Sequence, residues 1–477
     1  MTVTRKSPTL ITRMLQHKLL VVLVICVVAR LVVFFAVPSV FRFEQTGAVH
    51  GSDAYDTYAQ NLLQTGVYGR TSGVPDAVIP PLYSYVLAGV YATLGRSGLA
   101  VASTNIVFDC LSIICLYFIG KRLFKQGDWV GALAGLFYAL YPYLIFQNLT
   151  LIDTPFFMVL LYAFVLLMVL LRERVSLDKG TWGLAALAGV ILGLSMLTRA
   201  LLPALAILAA LWFLFRLSLW QTVIRLLPVA VIGFVVMLPW IVRNYGLYGA
   251  LVPTALNYGD NFYQGNSEYT IPYFRAGYDV QWVPPPPIKS ADVFSLDAAR
   301  ERFDAGMSYL TTHPEQIPDL IWTKFLIHWS IDIAPRKNPV NGSVPRLDYH
   351  GNALSGTDTQ GNLELGQLPP GDPVGEYSSV LFDQIGRPIH IIYWGGLLLL
   401  GIIGIGLSWR QWRDVSLLWF VQISMMVMYI IFHPSTRYRV PTDPLLFLFS
   451  AYTLIWLWQR FTARNSVQPL VPSLTEK

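Results

Sequence analysis

Ten apolar runs set the terms for this chain. Leu19–Val37, Leu99–Gly120, Trp129–Phe146, Thr154–Leu171, Trp182–Leu197, Leu201–Phe215, Val223–Val242, Ile389–Leu407, Val415–Phe432 and Val440–Leu457 all approach the roughly 17–25 helical residues that cross about 30 Å of hydrocarbon. Length alone would allow the 477 residues about three soluble domains. A hydrophobic share of 54% against 13% charged, with mean hydropathy +0.51, excludes that, together with a secreted disulfide scaffold and a disordered chain. What remains is an all-α polytopic membrane protein of about ten spans: a transporter, a channel, a membrane-embedded enzyme or an assembly factor. Cys26, Cys110 and Cys115 all fall inside apolar runs and offer neither a disulfide framework nor zinc-like spacing. Leu19–Val37 is too long for a signal-peptide core and is followed by no small-residue cleavage site, so it is expected to stay as the first span.

Charge then assigns sides. Pro81–Leu94 is also apolar, but about 14 residues at 1.5 Å each reach only about 21 Å, so it is expected to lie along the membrane surface. On that count Arg5, Lys6, Arg13, Lys18, Lys121, Arg122, Lys125, Arg172, Arg174, Lys179, Arg216, Arg225, Arg410, Arg413, Arg460 and Arg464 share one side, the bias of cytoplasmic loops. Both termini are therefore expected in the cytoplasm. The net charge of +6 has the same origin, because the cations sit in small groups between spans and form no nucleic-acid patch. The expected organisation is an N-terminal membrane module (1–242) with its first external loop at 38–98, an external region (243–388), a C-terminal membrane module (389–460) and a tail (461–477). The external region is rich in Gly, Pro, Asn and Tyr and should be mostly irregular, with helices near Ser295–Thr312 and Pro318–Ser330.

The opposite side collects Asp53, Asp56, Asp153, Arg199, Arg243, His433, Arg437, Arg439 and Asp443, which points to a site at the outer leaflet. Gly51–Gly66 reads as a short amphipathic helix capped by Ser52 or Asp53, with Asp53 and Asp56 on one face at i and i+3. Asp53 can be an N-cap only; at a membrane boundary, partial desolvation would also raise its basicity and suit it to general-base work. Asp153, just before Thr154-Pro155, can cap the following span or face the same outer surface, and Arg199 can snorkel to headgroups or hold a ligand. The turn His433–Pro441 places two arginines and a histidine where cations are scarce. An anion should sit there, most simply a phosphate on which Arg437 and Arg439 converge, with ordinary headgroups as the plainer occupant.

In chain order, SDAYDTYAQNLLQTGVYG, PPLYSYVLAGVYATLG, ALYPYLIFQNLTLIDTPFF, GLSMLTRALL, LPWIVRNYGLYGALVPTALNYGDNFYQGN and HPSTRYRVPTDPLLFLFSAY form a set. It resembles the polyprenyl-phosphate-sugar-dependent glycosyltransferases of the membrane-embedded GT-C type, in particular bacterial members related to protein O-mannosyltransferases. The resemblance implies Asp53 as the essential acid of the first external loop and Asp153 as a second acid. It further implies Arg243, His433, Arg437, Arg439 and Arg199 as grips on the donor phosphate, with Asp56 and Tyr58 in support. The implied reaction moves one sugar, with inversion, from a polyprenyl-phosphate donor to a lipid, glycan or protein hydroxyl on the outer face of the cytoplasmic membrane. No cofactor is required, although Asp53 with Asp56 or Asp153 could hold a divalent cation. Ile79-Pro80 and Ser84 stand where relatives often carry Arg and Pro, so donor and acceptor identity do not carry over. The rival function is a transporter or flippase of a lipid-linked sugar, which should show charges near the midplane and repeated halves. Arg30 and Asp109 are the clear intramembrane charges, and no half-to-half symmetry is visible.

Overall fold

The computed structural model describes residues 17–37, 41, 52–337, 343–345, 347–352, 362–364 and 382–465; Arg5, Lys6, Arg13 and the tail beyond residue 465 lie outside the described residues. The chain runs through α1 (Lys18–Ala36), α2 (Asp53–Thr65), α3 (Leu82–Leu94), α4 (Gly98–Leu123), α5 (Gly127–Leu140), α6 (Pro142–Leu149), α7 (Thr154–Glu173), α8 (Lys179–Met196), α9 (Leu202–Leu214) and α10 (Leu219–Tyr248). The long polar interval carries α11 (Tyr258–Gly265), α12 (Thr270–Ala276), α13 (Leu296–Thr312), α14 (Ile317–His328) and the short antiparallel pair β1 (Ser343–Pro345) and β2 (Asn362–Glu364). Then come α15 (Arg387–Leu407), α16 (Trp412–Ile431), α17 (Thr436–Arg439) and α18 (Asp443–Asn465).

The chain is a multi-pass, all-α membrane protein. Among the described residues, seven helices (α1, α4, α7, α8, α10, α15 and α16) are long and apolar enough to cross a bilayer, and eight if the bent pair α5–α6 counts as one span. The other expected crossings are shaped differently from plain spans. Trp129–Phe146 is broken by a bend of 60° between α5 and α6. Leu201–Phe215 shortens to the 13-residue α9, about 20 Å long. Val440–Leu457 enters its helix only at Asp443. The surface candidate Pro81–Leu94 is the equally short α3, packed on α2 and α4. In the described part of the interval after α10, α13 and α14 stand where two helices were expected, with α11 and α12 before them.

Local chemistry explains the main boundaries. Ser97 caps α4 through the Ala100 amide, Asp178 caps α8 through that of Thr181, and Ser218 with Gln221 forms a reciprocal capping box on α10. Small residues let spans approach closely. A Cβ on Gly189 or Gly193 of α8 would lie 2.8 Å from the Val229 carbonyl oxygen or 2.7 Å from that of Gly233, both in α10, so this spacing of glycines sets the α8–α10 contact.

The bend has a stated cause. Proline disfavours helical backbone in the residue before it, and Tyr141, preceding Pro142, adopts ψ 110°. Near the break, the Ala139 carbonyl accepts from Arg30 Nη1 at 3.0 Å. Arg30 pairs with Asp109, which also accepts from the Tyr138 hydroxyl and, at 2.7 Å, from the Asn148 amide. Arg30 and Asp109 are fully buried, so the intramembrane charges tie α1 and α4 to the two halves of the broken span. A second buried pair, Arg439–Asp443, receives the Tyr141 hydroxyl at 3.0 Å. Buried charges in hydrocarbon require partners of this kind, and here they brace a bend.

Candidate active site

At one end of the bundle a cavity of about 350 Å³ opens among the start of α2, the α6–α7 and α8–α9 turns, the loop after α10 and the end of α16. Local folding brings these segments together. The Ser52 amide donates to the Leu151 carbonyl at 2.8 Å, which fixes the start of α2 beside Asp153. Asp153 occupies the N-cap position of α7 but its side chain makes no cap bond. Its two oxygens instead accept from Arg199 Nε and Nη2, both at 2.6 Å, while Nη2 also donates to the Thr154 hydroxyl at 2.9 Å. Burial pushes the Asp153 carboxyl up, yet the Arg199 guanidinium, with Arg437 behind it, holds it below the usual carboxylate range. At neutral pH the pair is therefore a salt bridge sunk in the cavity wall.

Arg437, His433 and Tyr438 line the same cavity. Arg437 Nε and Arg199 Nη1 are buried with no hydrogen-bond partner among the described residues, as is His433 Nδ1. Burial, then the charges of Lys324 and Arg437, push the His433 imidazole down to about 3. It is neutral at pH 7, with Nδ1 able to donate or accept a hydrogen bond. The arrangement leaves two guanidiniums with spare donors in a low-dielectric recess, which suits an anion far better than a neutral ligand.

Several expected site residues lie elsewhere. Arg439 is fully buried; it pairs with Asp443, donates to the His328 and Ser330 carbonyls at 3.3 and 2.7 Å, and lies over the Trp394 ring. It does not line the cavity, so the expected convergence with Arg437 does not occur. The reason is geometric: positions i and i+2 on the short α17 point to opposite sides. Arg243 lies within α10, not in a free loop, and donates to the Asp76 and Tyr68 carbonyls at 3.0 and 2.8 Å while covering Trp240. Tyr58 donates to the Asp76 carboxylate at 2.6 Å. Together Arg243 and Tyr58 pin the loop that leads to Ile79 and Pro80 on the cavity wall. Asp56 is buried and engaged by Tyr91 (2.6 Å), Gln60 (2.8 Å) and Arg96 (2.8 Å), an anchor between α2 and the end of α3. Asp53 is exposed between two lining residues, Ser52 and Tyr55; the burial expected for it falls on Asp56 and Asp153 instead.

Sequence reasoning passed over other wall residues. Tyr55, Tyr429, Asn257 and Asn261 were hidden in an aromatic- and amide-rich background. Lys324, only 1% exposed, donates to Asn266 Oδ1 at 3.0 Å and to the Ile430 carbonyl at 2.8 Å; the Asn266 amide donates to the Ile431 carbonyl at 2.9 Å. These two side chains cap the end of α16 just before Phe432 and His433, and burial lowers the Lys324 ammonium to about 7. A lysine inside a predicted helix was the available signal. Among the described residues, no group of three or more His, Cys, Asp or Glu side chains is placed to hold a metal ion.

Residues 78–242, which include Asp153 and Arg199, match the family described as dolichyl-phosphate-mannose-protein mannosyltransferase. The Archaeoglobus fulgidus oligosaccharyltransferase, solved with zinc and sulfate, superposes with a TM-score of 0.54 at 12% identity, over 94% of this chain and 50% of that one. The likeness shows a shared all-α, multi-pass membrane fold. A second structure of the archaeal enzyme, AglB from the same organism with an inhibitory peptide and a dolichol-phosphate, gives 0.52 at 11% identity, covering 97% of this chain and 53% of that one. ArnT from Cupriavidus metallidurans, bound to undecaprenyl phosphate, overlaps more loosely: TM-score 0.46, 14% identity, 92% of this chain and 62% of that one. The chain thus spans about half the length of the oligosaccharyltransferase structures. No curated protein sequence matches it.

Proposed function

We propose that the chain is an integral-membrane glycosyltransferase that moves a sugar from a polyprenyl-phosphate donor to an acceptor hydroxyl. The observation that carries this reading is the cavity itself, which gathers Arg437 and the Asp153–Arg199 pair, with the exposed Asp53 in the segment between the lining residues Ser52 and Tyr55. The shared membrane fold and the match of residues 78–242 support the same class, and one of the similar structures, AglB, holds a dolichol-phosphate. In this scheme Asp53 accepts the proton of the acceptor hydroxyl as its oxygen attacks C1 of the sugar. The C1–O bond to phosphate breaks on the opposite face, which inverts the anomeric centre. Arg437, with a hydrogen bond from neutral His433, stabilises the departing lipid phosphate, and Asp153 with Arg199 orients the sugar. A divalent cation is possible at the site, with Asp53 offering the exposed carboxylate.

The charge bias of the loops supports placement in the cytoplasmic membrane, with the cavity facing outward and both termini inside. The acceptor hydroxyl belongs to a lipid, a glycan or a protein. Transport of a lipid-linked sugar is disfavoured, because Arg30 and Asp109 are fully buried and engaged in bracing a bend. The test is turnover by purified protein in nanodiscs supplied with a polyprenyl-phosphate-linked sugar. Asp53→Asn should lower transfer by about 10²- to 10⁴-fold, the usual loss of a general base, with donor binding retained. Transfer by that variant at the wild-type rate would remove Asp53 from the mechanism.

A further inference from the structure

The helix α7 carries Asp153 at one end and Arg172 and Glu173 at the other, about 30 Å away. At that far end lies a second cavity, about 370 Å³, walled by Arg122, Arg172, Arg216, Glu173, Asp414 and Trp212. An adjoining cavity of about 330 Å³ shares Arg122 and Glu173 and adds Arg174. Four guanidiniums face two carboxylates, so the region is net positive.

Its parts have distinct roles. Arg172 forms the floor: it is buried, pairs with Asp414 at 2.6 Å, donates to the Trp212 and Arg413 carbonyls and lies 3.4 Å over the Trp212 ring. Arg122 and Arg216 form the mouth. They are 48% and 55% exposed, and each meets a single carboxylate oxygen, on Glu173 at 2.6 Å and on Asp414 at 2.5 Å. A guanidinium has five N–H donors, so both keep donors to offer. Leading to Arg216, the short α9 exposes Ile207, Leu211 and Leu214, spaced four and three residues apart on one face. At about 20 Å this helix does not fill the hydrocarbon thickness, and an apolar stripe ending in a cationic mouth matches the shape of a lipid: tails along α9, phosphate between Arg122 and Arg216.

We infer that this cavity is a binding site for an anionic phospholipid, separate from the candidate active site and independent of the reaction assigned there. A zwitterionic lipid brings a trimethylammonium that the net positive mouth repels, whereas an anionic headgroup adds no competing cation. The test is native mass spectrometry of delipidated protein titrated with phosphatidylglycerol or phosphatidylcholine of equal chain length. Phosphatidylglycerol should bind at least about tenfold more tightly, the worth of one charge-assisted hydrogen bond. Arg122→Gln with Arg216→Gln should abolish the difference, and Arg122→Lys should keep part of it. Because the two lipids are compared on the wild-type protein, a misfolded variant leaves the main result standing. Equal binding of the two lipids would overturn the proposal. So would competition by inorganic phosphate as effective as that by phosphatidylglycerol, which would mark a site for soluble phosphate.

Discussion

Replacing either partner of the Asp153–Arg199 pair should expose how the cavity wall is held. Their side chains are 3% and 10% exposed, and two short N–H···O bonds join them. Arg199→Met would strand a buried carboxylate, and Asp153→Leu a buried guanidinium. Removing one partner of such a pair typically costs about 3–5 kcal/mol, whereas replacing both with apolar side chains of similar volume is often near neutral. The double variant Asp153→Leu/Arg199→Met should therefore be more stable than either single one, with a coupling energy of about 3 kcal/mol or more. The pH must be chosen with the sign in mind. Asp153 titrates below its usual 3.8, so the pair's contribution is complete above that value and is lost only as pH falls through the lower folded-state value. A measurement near neutral pH thus reads all of it. Reversible unfolding in mixed micelles titrated with a denaturing detergent gives the four free energies. Single variants within about 1 kcal/mol of wild type would show the pair to be solvated and the wall argument wrong. Donor binding separates structure from chemistry: the double variant should fold yet bind the lipid-phosphate sugar poorly, because its cavity has lost Arg199.

Arg437→Ala should weaken binding of the lipid-phosphate donor by about 1.5–3 kcal/mol, with Lys restoring only part because it lacks the planar fork; titration in nanodiscs reads this directly. Arg439→Ala should instead lower stability, since it strands Asp443 in the core; a variant as stable as wild type in a thermal-aggregation assay would contradict that assignment. His433 is held down to about 3 against an ordinary 6.5, so the unfolded chain takes up the proton first, and stability should fall as pH drops from about 6.5 towards 3. His433→Gln should flatten that slope in melting curves. Gly193→Leu should drive α8 from α10, costing about 1–3 kcal/mol of overpacking in detergent unfolding, while Gly183→Leu, with open space around its Cα, should cost little.

The spans were legible because a bilayer imposes a length, and apolar length is visible without knowing what packs on what. Their shapes were less so. Pro142 announces a possible break, but that Arg30 would reach the Ala139 carbonyl depends on α1 lying against α5, a contact no local pattern encodes. The same distinction governs the site. Asp153, Arg199, His433 and Arg437 were found because acids and cations on the side poor in charge are conspicuous, and the fold brings these four to one cavity. Arg243, Arg439 and Asp56 carried the same signal but were recruited as braces. A charged residue at the end of a span can turn inward to a carbonyl or outward to a ligand with equal sequence appearance. Reading 436–439 as an irregular turn also hid its helical backbone, on which Arg437 and Arg439 diverge.

Those braces give the presentation of Arg437 a physical origin. Tyr141, forced out of helical geometry by Pro142, reaches Asp443, and Asp443 fixes Arg439. Arg439 in turn holds the His328 and Ser330 carbonyls at the end of α14. Just beyond, the Thr436 amide donates to the Ala334 carbonyl at 2.7 Å, and the Ala334 amide donates to the Thr436 hydroxyl at 2.9 Å. Lys324 of α14 and Asn266 clamp the last carbonyls of α16, those of Ile430 and Ile431, from the other side. The cationic turn is thus fixed at both ends, by the bent span on one side and by α14 and the segment after it on the other. An anion in the cavity then meets guanidinium donors already in place, so less ordering entropy is lost on binding than a free loop would lose.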